Sequence, residues 1–194
     1  MVPALTGRVL GALRMFCSAR FLTVGPGLKS GIKLRLDNPA QLGAELLCGA
    51  VAALEEGPGP LAVISADTAI SIMAVNGKQE LVGGVILPGP QLSLSALVQK
   101  TAQLPQIDLS APASSSILGK NTSACLQNGF VLGTAGLLDG LAERFQAELG
   151  PDIRFYATGN LPRTIREACR TPIEYREYLI TDGLYRIWQK NRKG

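Results

Sequence analysis

Apolar residues recur along this chain in two rhythms, one of helical period and one of strand period. Leu5, Val9, Leu13 and Phe16 fall on one face at helical spacing, which predicts an amphipathic surface helix over about residues 5–17. Phe21 to Val24 reads as a short buried strand closed by a turn at Gly25-Pro26-Gly27, and Lys33 to Leu36 alternates weakly as a second one. Asp37-Asn38-Pro39 is a helix-start signal, a polar cap followed by proline in the first turn. The helix that follows carries Leu42, Leu46, Val51 and Leu54, and it ends in Gly57-Pro58-Gly59-Pro60, the best boundary between two segments, 1–57 and 58–194.

Past that boundary the strand period takes over. Leu61 to Ser65, Ile70 to Val75 and Glu80 to Ile86 read as a meander of three strands, with Asn76-Gly77 as a tight-hairpin signal. Pro88-Gly89-Pro90 closes the sheet, a helix runs from about Leu92 to Ala102, and residues 105–116 form a loop rich in Pro, Ser and Ala. A long helix is predicted from about Asn121 to Leu149. It contains Gly129, Gly133, Gly136 and Gly140. Each interior glycine costs up to about 1 kcal/mol against alanine, so the row predicts a second backbone packed closely, either within the subunit or across a dimer contact. A buried strand from Ile153 to Ala157 leads to Thr158-Gly159, and two helices finish an α/β chain without internal repeats.

Composition narrows the chemistry. At 194 residues, 46% hydrophobic and 18% charged, the chain is globular and fits one domain or two small lobes. It has no histidine. That removes Ser-His-Asp and Cys-His catalysis, histidine general bases and H-E-x-x-H zinc sites, and leaves acid–base work to Asp, Glu, Lys, Tyr or Cys. Cys17, Cys48, Cys125 and Cys169 form no C-x-x-C pair, which argues against a zinc or redox site and for a reducing, cytoplasmic setting. The net charge of +4 is spread out, and the basic tail of Lys190, Arg192 and Lys193 is short, so a nucleic-acid partner is not expected. The first 36 residues hold six basic residues and no acidic one, superficially like a transit peptide, but Arg14 interrupts any signal-peptide core. No apolar run reaches the roughly 18 residues of a membrane-spanning helix.

The motifs then point to a family. Val2-Pro3-Ala4-Leu5-Thr6 is similar to V-P-x-L-T, and the stretch from Val24 through Gly27, Lys29 and Gly31 is similar to V-G-P-G-V-K-T-G. Asp37-Asn38-Pro39, Gly43-Ala44, Gly83-Gly84-Val85-Ile86-Leu87-Pro88-Gly89, Leu94 to Pro105, Gly119-Lys120-Asn121-Thr122, Gly136-Leu137-Leu138-Asp139-Gly140 and Ala157-Thr158-Gly159 follow in order. Together they resemble the type III pantothenate kinases, in the acetate and sugar kinase/Hsp70/actin superfamily. The resemblance implies a ribonuclease-H-like α/β kinase fold. Residues 1–57 would be the remnant of an N-terminal lobe and residues 58–194 the C-terminal lobe, with the last helix returning to the first. It also implies phosphoryl transfer from ATP to pantothenate, the first step toward coenzyme A, with Mg2+ and a monovalent cation (K+ or NH4+), in a homodimer. Such transfer is mostly positioning and charge neutralisation.

Measured against the family pattern, the site has changed. The N-terminal glycine-rich phosphate hairpin is absent from the sequence, and no G-x-x-x-x-G-K-[ST] or G-x-G-x-x-G replaces it. An incomplete first lobe, an open sheet edge and exposed apolar surface are therefore expected. The family's G-A-D-R reads Gly43-Ala44-Glu45-Leu46. Glu45 is either a weak catalytic base or a surface glutamate; Leu46 cannot do the substrate arginine's bidentate work. D-x-G-T reads Ser65-Ala66-Asp67-Thr68. Ser65 replaces the cation-binding aspartate, Asp67 replaces a glycine and is either a turn residue or part of a rearranged metal site, and Thr68 matches the nucleotide-contacting threonine. Leu36 stands at the substrate tyrosine, and Thr122 either matches the substrate threonine or caps the long helix. The adenine-side A-T-G-G reads Ala157-Thr158-Gly159-Asn160, one glycine short. Scaffold motifs persist while polar site positions change. The expectation is a pantothenate kinase-like chain of weak or absent activity. Its alternatives are an inactive paralogue that binds or regulates a full-length partner, and a gene fragment.

Overall fold

The computed structural model describes residues 3–25, 27–111 and 116–192, without the side chains of Pro3 and Ala4. Val2 of the first motif, Pro26 of the turn, residues 112–115 of the loop and Lys193 of the tail lie outside the described residues. The elements are α1 (Pro3–Phe16), β1 (Lys33–Leu34), a 3-10 turn (Pro39–Gln41), α2 (Ala44–Glu55), β2 (Leu61–Ala66), β3 (Ala69–Val75), β4 (Glu80–Pro88), α3 (Pro90–Gln99), α4 (Thr122–Leu149), β5 (Arg154–Gly159), α5 (Arg163–Ala168), β6 (Ile173–Tyr175) and α6 (Leu179–Asn191). One six-stranded sheet runs β1-β4-β3-β2-β5-β6. β2, β3 and β4 form the antiparallel meander; β5 lies parallel to β2, β6 parallel to β5, and β1 parallel to β4. This is the ribonuclease-H-like arrangement the resemblance implied.

Strand alternation divides the core between the two faces of the sheet. Leu61 and Val63 of β2, with Met73, Val75, Leu81 and Tyr156, meet α2 and α6; Ala62, Ile64 and Ala66, with Ile70, Ile72 and Phe155, meet α4 and α5. Helix α2 is enclosed most completely. Leu46 to Ala53 are all buried, because the sheet lies on one side of them and α6 on the other. Small residues permit that approach. A Cβ on Gly49 would lie 3.1 Å from Val63 Cγ1, and a Cβ on Gly183 of α6 would strike the carbonyl of Cys48. Burial pushes the Cys48 thiol up to about 11, so it packs as a small apolar group.

Several expectations are corrected. Phe21 to Val24 is irregular rather than a strand: Leu22 and Val24 reach the core without pairing to the sheet, whose edge here is the two-residue β1. Asn38 does cap a helical turn, accepting from the Ala40 N–H at 3.2 Å, but that turn is 3-10; Leu42 is extended, and α2 starts afresh after Gly43. The hairpin at Asn76-Gly77 forms, but over four residues. Asn76 Oδ1 accepts from the N–H groups of Lys78 (2.9 Å) and Glu80 (3.0 Å), and the left-handed residue is Gln79 at φ 58°. Asn121, not Thr122, caps α4, accepting from the Ala124 N–H at 2.9 Å. The short edge strand β6 was not anticipated. The glycine row of α4 faces outward, with nothing within 4 Å of any of its four Cβ positions, so packing inside the subunit does not explain it. Helix α1 is the expected surface helix: Leu5, Val9, Leu13 and Phe16 are all exposed. No helix among the described residues is long and apolar enough to cross a membrane.

One buried charge ties α4 to the chain entering β6. Asp139 is 3% exposed, and its carboxylate accepts from the N–H groups of Arg170 (3.0 Å) and Thr171 (2.9 Å) and from Arg170 Nε (3.3 Å). Burial alone would raise its pKa, but these donors outweigh burial and hold it below the usual carboxylate value.

Two predictions follow from this packing. Gly183→Ala should cost about 1–3 kcal/mol by overpacking against Cys48, read as a lower urea midpoint, whereas Gly133→Ala on the open face should be neutral or gain up to about 1 kcal/mol. Asp139→Asn should cost about 1–3 kcal/mol at neutral pH. Because the folded pKa is depressed, Asp139's contribution is present above its ordinary value of 3.8 and is lost as pH falls through the lower folded value. Urea midpoints followed from about pH 5 downward should therefore fall more steeply in the native chain than in Asp139→Asn.

Candidate functional site

The parallel pairing of β2 and β5 brings two turns together at the C-terminal ends of these strands. Ser65 is in register with Thr158, and Ala66 with Gly159. Beyond β2 the Asp67 N–H donates to the Ala69 carbonyl at 2.9 Å, reversing the chain into β3. Beyond β5 the Asn160 N–H donates to the Ala66 carbonyl, so each turn is tied to its neighbour. Gly159 sits at φ +83°, and a Cβ there would strike the Ala66 carbonyl; the position requires glycine on both counts. The Tyr175 hydroxyl donates to the Gly159 carbonyl at 2.9 Å, and the buried Thr158 hydroxyl donates to the Glu177 carbonyl at 3.4 Å. The Gly89 N–H donates to the Thr68 carbonyl at 2.9 Å, which sets the start of α3 against the β2–β3 turn.

A cleft of about 420 Å³ opens between these turns and the first turns of α3, lined by Asp67, Thr68, Gln91, Ser95 and Asn160 among others. Helix α3 has no side-chain cap at Gly89 and begins with Pro90, which has no N–H, so the N–H groups of Gln91 and Leu92 are left for solvent or a ligand. Across the cleft mouth Asn160 Nδ2 donates to Asp67 Oδ1 at 3.1 Å.

The structure gathers Ser65, Asp67, Thr68, Thr158 and Gly159 at the ends of β2 and β5, but of these only Asp67 and Thr68 line the cleft, Thr158 being buried, and the other predicted residues lie elsewhere. Gly43 precedes α2 and Ala44 begins it; Glu45 is exposed on its first turn. Leu46 is 8% exposed within the α2 core, and Leu36 packs against the same core. Ala44 borders a separate apolar cavity of about 270 Å³ beside residues 24–34. Thr122 is exposed at the start of α4. Gln91 and Ser95 were not found from sequence; Pro88-Gly89-Pro90, read only as the end of the sheet, was the available signal. Asn160 was read as a missing glycine rather than as a partner for Asp67.

A resident metal finds little here. Among the described residues no three His, Cys, Asp or Glu side chains group to hold one. Ser65 offers a neutral oxygen from a half-buried strand position, and Asp67 stands alone. The side chains present do not form a carboxylate, thiolate or imidazole cage for a divalent cation.

Comparison with known proteins now bears on this arrangement. The family model described as type III pantothenate kinase matches residues 1–144. The chain belongs to the type III pantothenate kinase family. The relative of that name from Koribacter versatilis is 35% identical over 192 residues, covering 99% of this chain and 69% of its own length. The one from Geotalea uraniireducens is 36% identical over 193 residues, covering 100% and 75%. A third, from Dehalococcoides mccartyi strain BAV1, is 37% identical over 192 residues, covering 99% and 72%. A crystal structure described as a conserved Baf family transcriptional activator from Campylobacter jejuni covers 99% of this chain and 80% of its own, with a TM-score of 0.66 at 18% identity. That likeness is one of fold.

Proposed function

We propose that this chain keeps the scaffold of a type III pantothenate kinase and transfers phosphate from ATP to pantothenate weakly or not at all. Leu46 carries this reading. It stands where the resemblance implies the substrate arginine, and it is 8% exposed within the α2 core. A buried hydrocarbon cannot make the bidentate contacts by which a guanidinium holds a carboxylate. Leu36, at the position of the substrate tyrosine, packs against the same core. Glu45 keeps a carboxylate in the position of the base but adds a methylene, and a misplacement of about 1 Å can cost roughly 100-fold. Gly43, Ala44 and Thr122 would remain on the substrate side, and Thr68, Thr158 and Gly159 on the nucleotide side. Mg2+ would arrive with the nucleotide phosphates, as is usual for that ion, and Ser65 would serve K+ or NH4+ poorly.

A second reading is a binding or regulatory subunit. The outward apolar face of α1 (Leu5, Val9, Leu13, Met15 and Phe16) and the open glycine face of α4 favour it, as surface for a second copy or a full-length paralogue. It accounts for a folded chain that turns over no pantothenate.

The test is steady-state turnover with ATP, Mg2+, K+ and pantothenate beside the Geotalea uraniireducens protein. The expected kcat/KM is at least about 100-fold lower, with Glu45→Gln abolishing any remainder. Turnover within about tenfold of that protein would contradict the reading.

A further inference from the structure

Asp67 is the only charged residue lining the β2–β5 cleft among the described residues, and it is fixed in place. Its own N–H is tied to the Ala69 carbonyl at 2.9 Å, and Asn160 Nδ2 holds its Oδ1 at 3.1 Å. The backbone beneath it packs closely on the start of α3, where a Cβ on Gly89 would strike the Asp67 carbonyl. A carboxylate has about four lone-pair sites, so the single bond from Asn160 leaves most of the group facing the cleft. The start of α3 lines the same cleft. The N–H groups of Gln91 and Leu92 there would favour an anion, and Asp67 adds a fixed negative charge to the same cleft. An incoming polyphosphate would therefore meet a fixed negative charge with no lysine or arginine lining the cleft to offset it. A neutral ligand with hydrogen-bonding edges meets Thr68, Gln91, Ser95 and Asn160 without that cost.

We propose that Asp67, positioned by Asn160, sets the specificity of this cleft, admitting an uncharged nucleoside and disfavouring a polyphosphate. The inference rests on the reading that the cleft is the nucleotide end of the site. Asn160 is a positioning residue in this account: it orients the carboxylate that meets the ligand.

Calorimetric titration with adenosine and with MgATP tests it on the native chain, on Asp67→Asn and on the double variant Asp67→Gly/Asn160→Gly. Asp67→Asn keeps the shape and a hydrogen bond to Asn160, so it isolates charge, and thermal melts establish that each variant is folded. The native chain should bind adenosine at least about tenfold more tightly than MgATP. Both variants should gain about tenfold or more for MgATP, and the ratio of MgATP to adenosine affinity should rise by at least that factor. Adenosine binding with no gain for MgATP in either variant overturns the role of Asp67 and leaves the nucleotide reading standing. Native binding of MgATP tighter than adenosine also overturns it. Three folded proteins that bind neither ligand overturn both the inference and the nucleotide reading.

Discussion

The close crossing of α6 over α2 is the contact on which the rest of this fold depends. Gly183 brings the α6 backbone against the carbonyl of Cys48, and Gly49 on the same helix brings α2 against Val63 of the sheet. Apolar burial of this kind is worth roughly 1.5–3 kcal/mol for each large side chain taken out of water, and α2 contributes Leu46, Leu47 and Val51 to it. The crossing joins the last helix of the chain to the first buried one. It also fixes which way α2 presents its residues: Leu46 inward, Glu45 outward.

That orientation has consequences at both ends of the site. Leu46 lies in the core, and a guanidinium could take its place only by displacing packed hydrocarbon. At the ends of β2 and β5, sheet pairing does the positioning. The register of Ser65 with Thr158 aligns two turns, and the left-handed Gly159 lets them approach. The family's architecture survives because it is built from apolar faces and backbone pairing, whereas its chemistry depends on a few polar side chains that those faces do not require.

Much of this was legible in the sequence. Strands β2, β3 and β4 and helix α4 follow from period and length, because a residue's face is fixed by geometry alone. The family followed from ordered motifs. Other features were hidden because they depend on distant partners. Phe21 to Val24 has strand composition but no neighbour to pair with. The cap at Asn38 serves a 3-10 turn because Leu42 extends before α2 begins. The glycines of α4 look like a packing stripe and meet nothing within the subunit. Asp67 and Asn160 stand 93 positions apart, so their hydrogen bond appears only once β2 and β5 are side by side. Read singly, each was a departure from a pattern; folded, they are partners.

The central claim is that the α2 packing has removed the substrate's charged anchor. Its most direct test is calorimetric titration of the folded chain with pantothenate, alone and in the presence of MgATP. The account predicts no saturation below about 1 mM, a binding free energy weaker than about 4 kcal/mol. Saturable binding in the micromolar range would contradict it, because it would require a substrate anchor that neither Leu46 nor Leu36 can supply.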